Sequence, residues 1–255
     1  MLFFKWLDKI AFLNIKVWDF SVNSLLRSYG IAFLFRVALR HPVKTITGIR
    51  KYQNLTSKNV LTDSASLKKQ SGKKHITDKK SITGVGFCLK PVEPLCISGR
   101  ANHSCKFFES DLYLQNGNVP LCCRNCLIKK IGLWVLSSKS SFYIMTSAKD
   151  ILYDMIIPSV KSEKFSKGLF CICKFSFEPF KIALSIAGIE AGLFSFESGD
   201  CRDYKTWLKA DIGIKNEQTE LSMKDIKLIE EKLSMAKEGN NYKFKKVENI
   251  FYAYD

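Results

Sequence analysis

Apolar residues recur at three- and four-residue steps from the start of the chain. Phe3, Trp6, Ile10, Leu13, Val17 and Phe20 fall on one side of a helical projection. Lys5, Asp8, Lys9, Lys16, Asp19, Asn23 and Arg27 fall on the other, which predicts an amphipathic helix over 2–27. Leu7, Phe12 and Trp18 widen its apolar side. A second helical piece, 31–39, places Phe33, Leu34, Phe35 and Val37 between Arg27, Arg36 and Arg40, with Pro42 as its stop.

From residue 44 the pattern changes. Lys, Ser and Thr dominate through 82, with Lys68, Lys69, Lys73, Lys74, Lys79 and Lys80 among sparse apolar residues. Such a composition buries too little surface to offset its ordering entropy and is read as a flexible basic linker. Three units follow from this reading: amphipathic helices over 1–43, the linker over 44–82, and a cysteine-rich domain over 83–255.

Pro91, Pro94, Gly99, Gly117 and Pro120 punctuate the start of that domain and predict loops. A strand–helix rhythm succeeds them. Strand-like runs cover 132–136, 141–145 and 168–175, with helices over 148–157, closed by Pro158, and over 178–191. A charged amphipathic helix spans 222–237, with Ser222 and Asp225 as a cap signal. The aromatic tail 244–254 reads as an edge strand. The expected architecture is α/β (or α+β), a small mixed sheet with flanking helices. The sequence contains no internal repeat.

Charge alters the picture of the first third. Residues 1–80 hold sixteen Lys and Arg against four Asp, most of the chain's formal net charge of +16. That asymmetry points to an acidic partner. A spanning helix needs about 20 mostly apolar residues, and the charge-free gap Ser28–Phe35 is far shorter. The first 42 residues are therefore expected to lie on an anionic membrane surface, aromatic side chains in the headgroup boundary and Lys and Arg on the lipid phosphates. The competing reading is an ordinary amphipathic helix packed on its own domain. Nucleic acid is the outside alternative for this basic segment, because its aromatics sit at helical spacing with aliphatics rather than as stacking platforms.

Nine cysteines leave at least one thiol outside any internal disulfide. The first apolar stretch is interrupted by Lys5, Asp8, Lys9 and Lys16, so no export signal is read there. A cytoplasmic protein, peripheral on the inner face of the membrane, is expected. In a reducing interior, grouped thiols point to metal or redox chemistry.

The grouping lies between Cys96 and Cys126. Cys123 and Cys126 are separated by two residues, a spacing that turns both sulfurs toward one centre while the turn's N–H groups face the thiolates. Cys96 and Cys105 complete a four-sulfur set, with Cys122 as the substitute for its neighbour, and Cys88, Cys201 and His103 in reserve. The Cys96–Cys105 separation is loose for a zinc ribbon, and a [4Fe–4S] cluster accepts wider spacing. The cluster is therefore the expected cofactor, with zinc as the alternative, and a redox or structural component is the expected role, with a redox partner protein in the first case.

Two further classes stand beside it. Cys123 and Cys126 have the spacing of a dithiol oxidoreductase, and the whole chain has the charge of a non-catalytic basic scaffold. Cys171 and Cys173 alternate in an apolar run and read as small core hydrophobes. Cys201, between Asp200 and Arg202, reads as a distant ligand or a reactive thiol. No glycine-rich nucleotide loop occurs, the Cys105–His103 neighbours do not suggest a dyad, and Glu197, Asp200 and Asp203 read as a solvated face.

Overall fold

A computed structural model describes residues 30–57, 80–110, 119–233 and 243–254 of the chain. The expected helix over 2–27 and most of the proposed linker, 58–79, lie outside these residues.

The centre is a mixed sheet of six strands in the order β4-β3-β1-β2-β6-β5. β1 (Ser81–Gly86), β2 (Ser141–Met145), β3 (Lys167–Ile172) and β4 (Glu190–Ser195) are mutually parallel. β5 (Lys243–Val247) and β6 (Ile250–Tyr254) form an antiparallel hairpin that joins the sheet through β6 on β2. β2 is buried along its whole length and β1 and β3 nearly so, as expected for parallel strands covered on both faces.

Helices cover the two sides. α1 (Gly30–Phe33) runs on as a π turn (Leu34–Ala38), and α2 (Pro42–Ser57) follows. Two short helices, α3 (Lys106–Glu109) and α4 (Leu121–Arg124), precede α5 (Leu127–Ser137). The β2–β3 crossover is α6 (Ala148–Ile151), a π turn (Leu152–Ile156) and α7 (Ile157–Ser162). α8 (Phe177–Ala187) joins β3 to β4, and α9 (Tyr204–Asp211) and α10 (Met223–Leu233) precede the hairpin. α2, α7 and α8 pack together, and α5 packs with β2 and α10. Because β2 and β3 flank β1, the connections leaving β1 and β3 diverge, which opens a crevice at the C-terminal ends of the parallel strands.

The mixed sheet with flanking helices agrees with the sequence expectation, but several boundaries differ for identifiable reasons. Residues 132–136 are helical. Ile128, Ile131, Gly132, Val135 and Leu136 are all buried, a helical spacing visible only when the window begins at Ile128. Residues 190–191 belong to β4, because Gly188 at φ +73° stops α8. Pro158 does not close the crossover helix but lies within it, in a helical run that continues from Ala148 through the π turn to Ser162. The tail is a hairpin rather than a single strand.

The proposed linker is corrected at both ends. β1 begins at Ser81, and α2 occupies the first part of the segment. α2 docks through a small residue rather than an apolar stripe. A Cβ on Gly48 would lie 2.5 Å from Ile186 Cα, so the backbones of α2 and α8 meet there. Ser185 Oγ donates to Gly48 O at 2.8 Å, Tyr52 donates to Glu178, and Lys44 Nζ donates to Val160 O at 2.9 Å. No helix among the described residues is long and apolar enough to cross a membrane.

Candidate metal centre

The cysteine-bearing loop leaves β1 through a short 3-10 turn (Phe87–Leu89) and reaches Lys90, whose side chain is only 1% exposed. The loop closes around its ammonium. Lys90 Nζ donates to Gly99 O at 3.0 Å, Asn102 O at 2.9 Å, Asn102 Oδ1 at 2.6 Å and Ser104 O at 2.8 Å. Asn102 Oδ1 also accepts the Ser104 N–H at 2.9 Å, and Ser98 Oγ accepts the Lys106 N–H at 2.7 Å. Burying an ammonium is costly unless its hydrogens are satisfied, and here the loop carbonyls satisfy them.

Phe107 and Phe108 fasten the end of the loop to the sheet. The Phe108 ring meets Phe107, Phe142, Phe244 and Phe251 at centroid distances of 5.2, 6.0, 5.6 and 5.7 Å. Much of this edge of the core is therefore aromatic, which gives the abundant phenylalanine a structural use. α5 presses on the same rings through Gly132, where a Cβ would lie 2.6 Å from Phe108 Cζ.

These anchors place the thiols. Cys105 is the N-cap residue of α3, Cys122 and Cys123 lie within α4, and Cys126 is the N-cap residue of α5. Cys105, Cys122, Cys123 and Cys126 are buried and Cys96 is half-buried. Cys122 Sγ and Cys123 Sγ are 3.8 Å apart. Cys105 lies within electrostatic reach of Cys96, Cys123 and Cys126, and Cys126 within reach of Cys96 and Cys122. The five thiols proposed from sequence thus share one neighbourhood, in which Cys122 and Cys123 are the pair in contact. Among the described residues, however, no three His, Cys, Asp or Glu side chains are placed to hold a single metal ion.

The electrostatics of the group run in two directions. Burial pushes the thiols of Cys105 and Cys123 up to about 12, helped at Cys123 by Cys122, and raises Cys126 as well. Against this, the backbone N–H groups of Phe108 and Phe107 face Cys105, and those of Lys129 and Ile128 face Cys126. Both sets favour a thiolate, although neither forms a complete cap hydrogen bond. Lys90 supplies positive charge next to Cys96 and Cys105. Burial lowers its ammonium to about 8, and the two thiols act in the opposite sense. The nearby carboxylate of Glu109 is tied to Lys246 at 3.0 Å.

The three reserve residues stand elsewhere. His103 Nδ1 donates to Ile144 O at 2.7 Å, and Nε2 lies 3.0 Å from Thr146 Oγ1 and 3.6 Å from Asp150 Oδ2, with the ring stacked on Tyr143. Both ring nitrogens are engaged, so His103 serves as a hydrogen-bonded strut beside β2. Cys88 and Cys201 face Lys215 and a cavity at the strand ends. Arg100 lies between the two thiol groups and donates to the backbone oxygens of Lys215, Glu217 and Cys88. Cys171 and Cys173 are both buried in the core as expected, and Cys173 also lines the cavity.

Sequence reasoning did not identify Lys90. A single lysine between Leu89 and Pro91 carries no periodic or motif signal, and its role emerges only when the loop closes on it.

Comparison with protein-family models, with curated proteins and with solved structures gives no match.

Proposed function

We propose that Cys96, Cys105, Cys123 and Cys126 hold a [4Fe–4S] cluster, with Cys122 able to stand in for Cys123, and that the protein works as a redox or structural component at a membrane surface. One observation carries the reading. A fully buried ammonium, satisfied by neutral oxygens, lies beside the half-buried Cys96 and the buried Cys105, and Cys105 is within electrostatic reach of Cys123 and Cys126. Four thiolates on a cluster leave the assembly anionic, and Lys90 is the buried charge that offsets it. The N–H groups at the starts of α3 and α5 add the dipoles that stabilise thiolate sulfur and tune a bound metal.

The spacing of the sulfurs bears on which metal. A single zinc ion is usually held by closely spaced ligand pairs, and Cys96 and Cys105, with eight residues between them, are not such a pair. A four-iron cube binds each thiolate to a different iron, so its ligands stand farther apart. The dithiol alternative at Cys123 and Cys126 needs a thiol with lowered pKa, whereas burial raises both.

The membrane assignment draws support from the first described residues. Ile31, Leu34, Phe35, Leu39, Val43 and Ile46 are exposed along a stretch that also carries Arg36, Arg40, Lys44 and Arg50. Apolar side chains beside cationic ones suit anionic lipid. On this reading the protein is cytoplasmic and peripheral, and a cluster in the redox role exchanges electrons with a partner protein.

Reconstitution tests the assignment. Metal-free protein is offered ferrous iron with sulfide in one arm and zinc in another, without oxygen. The cluster reading expects one [4Fe–4S] cluster per chain in the first arm, lost in Cys105→Ser and Cys126→Ser. Stoichiometric zinc with no iron uptake would assign a structural zinc site instead.

A further inference from the structure

The C-terminal ends of the parallel strands open onto a cavity of about 240 Å³, in the crevice where the connections from β1 and β3 diverge. Open α/β sheets bind ligands at this place. Most of its wall is apolar, formed by Phe33, Ile151, Leu152, Phe180, Ala183 and Phe196. An apolar cavity of about 150 Å³ already accepts a benzene-sized guest.

One part of the wall differs. Cys173, just past β3, and Cys201, after β4, line the same wall and are drawn together by Asp200, whose carboxylate accepts the Lys174 N–H at 3.1 Å and the Cys201 N–H at 2.8 Å. Lys215 Nζ lies 3.9 Å from Cys201 Sγ and donates to Gly199 O at 2.5 Å. Ser176 Oγ is 2.9 Å from Cys173 Sγ and accepts the Trp207 Nε1–H at 2.9 Å. The neighbouring Cys173 draws the Cys201 thiol below its ordinary range. Lys215 acts in the same sense, and burial, Asp200 and Asp203 oppose it.

We propose that this is a thiol–disulfide exchange site whose substrate is a small, neutral aliphatic disulfide. The apolar wall holds the carbon chain, and the thiol-bearing part of the same wall presents a nucleophile with its resolving partner. The Cys201 thiolate attacks one sulfur of the bound disulfide. That S–S bond breaks, and the departing sulfur takes a proton from water. Cys173 then gives up its proton and attacks Cys201 Sγ, which breaks the mixed bond and releases the second sulfur as a thiol. The substrate gains two electrons and two protons, and Cys173 and Cys201 end as a disulfide. No atom of the Cys96–Cys126 group takes part, so the inference does not depend on the cluster.

The test uses the full-length, reduced chain with lipoamide, a neutral cyclic aliphatic disulfide, and in parallel with glutathione disulfide, which carries carboxylates. Peptide mapping is expected to find a Cys173–Cys201 link that forms with lipoamide about tenfold faster or more than with glutathione disulfide. Cys173→Ser should stop at a mixed disulfide on Cys201, trapped by alkylating the thiol freed when the lipoamide ring opens, and Cys201→Ser should form neither product. Ala183→Phe, which fills the cavity, should slow the lipoamide reaction and leave the circular dichroism spectrum unchanged. The wild-type map decides the matter even if a variant misfolds. Reduced Cys173 and Cys201 beside oxidised cysteines elsewhere would overturn the proposal, as would equal rates with the two disulfides.

Discussion

Lys90 Nζ donates to the main-chain oxygen of Ser104 at 2.8 Å, which sets a buried positive charge one residue from Cys105. The loop from Cys96 to Cys105 is thereby organised around a cation before any cofactor arrives. Lys90→Met keeps the bulk and removes the charge. It leaves the oxygens of Gly99, Asn102 and Ser104 without their donor. The expected loss is about 3 kcal/mol, the scale of deleting one member of a buried charged network. Urea unfolding of the metal-free variant measures it, and a midpoint equal to wild type would contradict the organising role.

The pH dependence of the metal-free protein follows from the buried thiols. Cys105 and Cys123 titrate near about 12 when folded, against an ordinary 9.0, so the unfolded chain releases their protons first. Stability is present below the unfolded value and is lost as pH rises, by about 1 kcal/mol for Cys105 between about pH 8 and pH 10, with a smaller, more screened part from Cys123. Cys88 and Cys126 are raised by burial and add to the fall. Lys90, lowered to about 8 from 10.5, has the opposite sign across that window, and the thiols outnumber it. The urea midpoint should therefore drop over this range. With a cluster bound, the ligating sulfurs are already thiolates, and stability should be lost at acid pH instead.

How α2 sits on the domain gives a third test. Gly48→Ala places a Cβ 2.5 Å from Ile186 Cα and 2.7 Å from Ile186 N, contacts with backbone that cannot swing away. Forcing them apart should cost about 1–3 kcal/mol, whereas alanine in a solvated linker would change nothing. Thermal unfolding of the two proteins separates these outcomes.

The mixed sheet was legible in the sequence, which misled where the contact was made by something other than an apolar stripe. The helix α2 was hidden because Gly48 and Tyr52 dock it, and neither registers in a hydrophobic pattern. The helical phase of α5 starts at Ile128, close to the cysteines, and its second half alone passes for a strand. Cys173 is the core residue that its alternation with β3 suggests, and what that pattern does not show is that it also lines a cavity just past the end of the strand. Within the cysteine group, spacing could bring Cys123 and Cys126 together. It could not say that α3 and α5 would begin at Cys105 and Cys126, or that a lysine would be buried between the loops.

Membrane association yields a fourth prediction. Val37 is fully buried, so removing residues 1–42 would disturb the domain as well as any lipid contact. Phe35→Asp with Leu39→Asp changes side chains that are 59% and 61% exposed and leaves the core intact. Vesicles containing phosphatidylserine should bind this variant about tenfold more weakly than wild type, because two apolar contacts are replaced by charges that the lipid repels. Equal binding would remove the assignment of this face to lipid.

Anaerobic isolation of the protein, followed by iron and acid-labile sulfide analysis of wild type and Cys105→Ser, addresses the central claim most directly. The cluster account predicts a coloured wild-type protein with iron and sulfide in equal amounts at the level of one [4Fe–4S] cluster per chain, and a colourless, correctly folded variant. A wild-type protein isolated without iron, whose Cys96, Cys105, Cys122, Cys123 and Cys126 all alkylate as free thiols and which takes up neither iron nor sulfide, would contradict it.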